Sequence, residues 1–65
     1  SQDMVGQMKK DIRKFNTDSF TEKDIEDFIE LVDEIYSRGL ITKGSYRRKV
    51  NKINTAYDRL EQLND

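Results

Sequence analysis

Residues 37–50 read SRGLITKGSYRRKV, and the four letters GLIT at 39–42 decide how the chain folds. Gly39 has no Cβ, so it takes the left-handed conformation that follows a helix end at low cost. Leu40 can then fold back on Ile35, the contact that accompanies such an ending. Thr42 is an N-cap type whose hydroxyl accepts a backbone N–H from the next helix's first turn. Ile41 and Tyr46 occupy the two positions of a hydrophobic staple across that cap. So short a connection makes the flanking segments an antiparallel helical hairpin.

Upstream, FTEKDI at 20–25 repeats the device. Thr21 is the expected N-cap, Asp24 stands where a capping box has Glu or Gln, and Phe20 and Ile25 form the staple. Two apolar stripes follow at helical spacing: Ile25, Ile29, Val32 and Tyr36, then Phe28, Leu31 and Ile35. So wide a face suits a helix that touches two neighbours. Downstream, Tyr46, Val50, Ile53, Tyr57 and Leu60 step by 4, 3, 4 and 3, with Leu63 extending the stripe and Ala56 permitting close approach. Nearer the start, Val5, Met8, Ile12 and Phe15 mark one face of a further helix. Ser1 or Asp3 could cap it, and Asn16 could end it in the left-handed conformation. The expectation is an all-α, single domain over 1–65: a three-helix bundle built on the antiparallel hairpin, with helices about 3–15, 22–38 and 43–63. A dimerising hairpin with a loosely attached first helix is the other arrangement.

At 65 residues the core is small, so capped helices or a partner must support it. The chain is 38% charged, yet apolar residues recur regularly, which speaks against disorder. It has no Cys and no His, which excludes disulfides and thiolate sites and removes the commonest general base and zinc ligand. No apolar run approaches a membrane span, no signal-peptide pattern opens the chain, and a cytoplasmic location is expected. No Pro interrupts any helix.

The net charge of −1 conceals segregated blocks. Residues 1–15 hold four bases against two acids, and 16–36 hold eight acids against Lys23. Residues 37–55 hold six bases and no acid, while 56–65 hold three acids against Arg59. Such blocks either pair helices within the fold or face separate partners.

Leu31, Ile35, Gly39, Ile41, Thr42, Tyr46, Lys49 and Ile53 together resemble the short C-terminal (SHOCT-like) helical hairpin of bacterial and phage proteins. The likeness spans residues 28–53, with Ser45 where that family has an acid. It implies an interaction or oligomerisation role and supplies no catalytic residues.

Acid groups such as Glu30, Asp33 and Glu34 could serve acid–base or metal chemistry only if buried or converging from several elements. Their positions beside the apolar stripes suit a solvated face instead, so no catalytic, cofactor or metal residue is assigned. Lys43, Arg47, Arg48, Lys49 and Lys52, with Asn51, crowd the start of the third helix, where the helix dipole favours anions. Either Asp33 and Glu34 of the neighbouring helix answer that charge, or an external anion does. A helix-turn-helix reading fails on Ile35, which stands where tight crossing needs a small residue, and on polar Ser45 and Arg48. Tyr36, Tyr46 and Tyr57 lie on the apolar stripes and become interface anchors where exposed. The expected function is a small, non-enzymatic protein–protein interaction or oligomerisation module, with a protein partner or the chain itself as ligand. The alternative is a nucleic-acid-associated regulatory module using the basic cluster. No membrane partner and no small-molecule substrate is expected.

Overall fold

The structure, a computed structural model, describes residues 2–64. Three helices succeed one another: α1 (Gln2–Lys14), α2 (Glu22–Ser37) and α3 (Lys43–Asn64). No strand occurs among the described residues. The expected three-helix bundle is what forms, with helix ends displaced by a residue. α2 packs against both α1 and α3, which accounts for its two apolar stripes.

Local chemistry sets each boundary. At the start of α2 the Asp24 N–H donates to Thr21 Oγ1 at 3.2 Å, and the Thr21 N–H donates to Asp24 Oδ2 at 2.8 Å. Asp24 therefore completes a capping box in place of Glu. Its Oδ1 also accepts from Lys14 Nζ at 3.1 Å, which ties the end of α1 to the start of α2. The Thr21 backbone N–H, and then Lys14, hold the Asp24 carboxyl below the usual carboxylate range.

α2 ends in a Schellman arrangement. The Leu40 N–H donates to Ile35 O at 3.1 Å and the Gly39 N–H to Tyr36 O at 2.9 Å, with Gly39 at φ 71°. Leu40 stays 39% exposed, while its neighbour Ile41 packs against the core. α3 then starts as expected, the Ser45 N–H donating to Thr42 Oγ1 at 3.1 Å.

α1 ends differently from the expectation. Asn16 is not left-handed, since among the described residues only Gly39 has positive φ. The helix tightens through three-residue bonds from the N–H groups of Phe15, Asn16 and Thr17 to Ile12, Arg13 and Lys14 carbonyls. The Asn16 side chain instead accepts from Lys52 Nζ of α3. At the other end Asp3 lies inside α1, so it is not the cap, and Ser1 lies outside the described residues.

The core comprises Met8, Phe15, Phe20, Ile25, Phe28, Val32, Ile35, Ile53 and Ala56. Phe15 joins two rings edge-on, Phe20 at 5.4 Å and Phe28 at 5.1 Å, and so clamps the α1–α2 loop. The inward edge of α3 differs from the expected stripe of Tyr46, Val50, Ile53 and Tyr57. Ile53 and Ala56 are buried, Tyr46, Tyr57 and Leu60 flank them, and Val50 is half-buried outside the core cluster. A straight helix drifts against a 3.5-residue repeat, and the small Ala56 lets the backbone come close. Leu63, at the far end of α3, is 43% exposed.

Candidate interaction surface

The basic cluster does not form one face. Lys43, Arg47 and Asn51 step by four along one exposed edge of α3. Arg48 and Lys52 lie on another edge, and Lys49 on a third. Lys49 is half-buried and donates to Ser45 Oγ at 3.4 Å. Lys52 is half-buried and bound to Asn16. Arg48 is exposed and folds back along its own helix, its Nη1 lying 3.5 Å from where a Cβ on Gly44 would stand. Among the described residues Lys43, Arg47 and Arg48 take part in no salt bridge.

The expected pairing of Asp33 and Glu34 with Arg47 is absent. Glu34 accepts from Arg38 Nε at 2.6 Å, four residues on. Asp33 Oδ1 accepts from the Tyr46 hydroxyl at 2.8 Å. The Tyr46 phenol and Arg38 bind these two carboxylates, and Arg47 of the same chain pairs with neither. The hydrogen bond to the Asp33 carboxylate in turn holds the Tyr46 phenol above its ordinary range, since it is made only while the phenol keeps its proton, and partial burial and the Asp33 charge act in the same direction.

Tyr46 also stacks on Tyr36, ring centroids 4.3 Å apart and planes at 17°. Tyr36 is 37% exposed, and Tyr46 and Tyr57 are half-buried. These side chains share one face. On α2, Ile29, Asp33 and Tyr36 step by four and three; on α3, Tyr46, Val50 and Tyr57 follow helical spacing. α1 sits on the opposite side of α2, as Lys14–Asp24 and Phe15–Phe28 show. The α1–α2 loop likewise holds the opposite edge of α3, through Lys52–Asn16 and through Arg59 Nε–Asp18 Oδ1 at 3.0 Å. One side of the hairpin is thus covered and the other is not. The uncovered side carries a half-buried apolar stripe, an acidic rim from α2 (Glu22, Glu26, Asp33) and a basic rim near the corner from α3 (Lys43, Arg47).

Of the residues singled out from sequence, Tyr36, Tyr46, Tyr57, Lys43 and Arg47 gather on this side, with Asn51 just behind its edge. Arg48, Lys49 and Lys52 do not. Ile29 packs against the core as its stripe predicts, whereas Val50 lies outside the core cluster and Asp33 bonds to Tyr46, and sequence spacing does not single out the face they share. Its one trace there is the spacing of Ile29, Asp33 and Tyr36 along α2.

A shallow cavity of about 180 Å³ lies between the α1–α2 loop and α3, over Phe15 and Ala56. Its polar rim is already paired within the chain, Lys52 with Asn16 and Arg59 with Asp18. No group of three or more Asp and Glu side chains among the described residues is placed to hold a metal ion. No helix among them is long and apolar enough to cross a membrane. Comparison of the chain with protein-family models, curated proteins and solved structures finds no match.

Proposed function

We propose that the chain is a small, non-enzymatic protein–protein interaction module that works through the uncovered side of its α2–α3 hairpin. The observation that carries this reading is the stacked Tyr36–Tyr46 pair, pinned by Asp33 and lying open beside an Arg47 that has no carboxylate. Tyrosine and arginine are the residue types that dominate binding energy at interfaces, and a ring already held in place loses little freedom on binding. The likeness of residues 28–53 to SHOCT-like hairpins points the same way. The test is capture of partners from the native source on the immobilised chain, beside Tyr36→Ala. A partner retained by the parent chain and lost by the variant supports the reading. Retention unaffected by Tyr36→Ala, with equal indifference to Arg47→Ala, contradicts it.

One observation favours the second reading, a nucleic-acid-associated regulator. Lys43, Arg47 and Arg48 are exposed and unpaired near the start of α3, where phosphate contacts need only clustered bases. The spread of the basic residues over several edges of α3, and the acidic α2 beside them, weaken it. A salt-dependent titration with duplex and single-stranded DNA and RNA decides the point. Binding at low salt that falls with Arg47→Ala plus Arg48→Ala supports this reading, and no binding removes it.

A further inference from the structure

The uncovered side of the hairpin is electrically divided along its length. Its α2 rim is acidic throughout, with Glu22, Glu26 and Asp33. Its α3 rim is basic near the corner, with Lys43 and Arg47, and acidic at the far end, with Asp58 and Glu61. A partner must answer both halves, and the pattern restricts how a second copy could do so.

With the helices of the two copies aligned, two face-to-face arrangements have two-fold symmetry. With the axis across the helices, α2 would lie on α2 and acid would meet acid along the whole rim. With the axis along the hairpin, α2 of each copy lies on α3 of the other at unchanged height. Tyr46 stacks on Tyr36 and reaches Asp33, so residues 33–36 and 46–47 share one level of the hairpin. The second arrangement therefore places Arg47 of each copy against Asp33 of the other. Asp33 is prepared for this: Oδ1 accepts from Tyr46, and among the described residues no side chain donates to Oδ2. The apolar stripes, with Tyr36, Val50 and Tyr57, then meet across the axis. Glu22 and Glu26 meet Asp58 and Glu61 of the other copy unfavourably, at the solvated far end where screening is strongest.

Resting on the interaction reading above, we propose that the occupant of this face is a second copy of the chain. The pair is isologous, with its two-fold axis parallel to the hairpin and two reciprocal Arg47–Asp33 ion pairs. The sixteen residues of α2 make the face about 24 Å long. With the 20 Å middle dimension of the fold it spans about 480 Å² in projection, smaller than the roughly 800 Å² per partner of a standard interface. An interface this small makes a weak dimer, which local concentration controls.

Sedimentation equilibrium of the whole chain from about 10 µM to about 1 mM, where micromolar to millimolar association registers, tests this. The mean mass rises from 7.7 kDa toward twice that value. Arg47→Glu weakens association about tenfold or more, while Arg48→Glu, an identical charge change on another edge of α3, leaves it unchanged. Combining Arg47→Glu with Asp33→Lys restores it. Both arginines are exposed, and circular dichroism confirms that each variant stays helical. A single 7.7 kDa species at every concentration, or equal losses from the two arginine variants, overturns the proposal. A monomer that still captures a Tyr36-dependent protein places another occupant on this face, which overturns the dimer and leaves the interaction reading standing.

Discussion

The Tyr46 hydroxyl donates to Asp33 Oδ1 at 2.8 Å, joining α3 to α2 one turn from the corner. This bond takes the carboxylate that charge patterning had allotted to Arg47. It also holds a ring of the stacked tyrosine pair in place on the side of the hairpin that α1 does not cover. The folded phenol keeps its proton to a higher pH than an ordinary tyrosine. Its bond therefore stabilises the fold fully below about pH 10, and that contribution disappears as pH rises through the folded value. In an absorbance titration at alkaline pH, Tyr46 ionises above the ordinary tyrosine range, and Asp33→Asn brings it back toward that range.

The capping box at Thr21 and Asp24 works at the opposite end of the pH scale. Asp24 is held below the ordinary carboxylate range, so its contribution is present above about pH 4 and is lost as pH falls through the folded value. Thr21→Ala costs about 1 kcal/mol at neutral pH. Asp24→Ala also destabilises there, and the difference from the parent chain narrows in strong acid. Urea unfolding at neutral and at acid pH measures both effects.

The glycines divide by backbone geometry. Gly39 sits at φ 71°, where a Cβ meets the following carbonyl, so Gly39→Ala destabilises by about 1–2 kcal/mol. Gly6 lies inside α1 with nothing within 4 Å of a Cβ. Gly6→Ala therefore stabilises by about 0.5–1 kcal/mol. Thermal melts followed by circular dichroism should move in opposite directions for the two variants.

The inward edge of α3 can be checked by truncation. Ile53 is 6% exposed within the core, and Ile53→Ala costs about 2–5 kcal/mol, enough to unfold much of so small a protein. Val50 stands outside the core cluster, and Val50→Ala costs less than about 1 kcal/mol. Equal losses would return Val50 to the core.

Most of the architecture is legible in the sequence because capping is local chemistry. Thr21, Asp24, Gly39 and Thr42 act on backbone groups within a few residues, so reading their types is enough to place α2 and the start of α3. The end of α1 escapes that logic, because Asn16 answers to Lys52, 36 residues away. The charged surface escapes it for a similar reason. A block of six bases reads as one patch along the chain, yet the turn of the helix sends Arg47, Arg48 and Lys49 to different sides. Which acid meets Arg47 depends on competition from Tyr46 and Arg38, and spacing alone does not register that competition.

The central claim is that this chain meets its partner, a second copy, on the uncovered α2–α3 side. Amide chemical-shift mapping over a dilution series tests it most directly. The account predicts concentration-dependent shifts centred on Ile29, Asp33, Tyr36, Arg47, Val50 and Tyr57, with Lys9, Lys10 and Arg13 of α1 unmoved. Spectra unchanged by concentration, or shifts centred on α1, would contradict it.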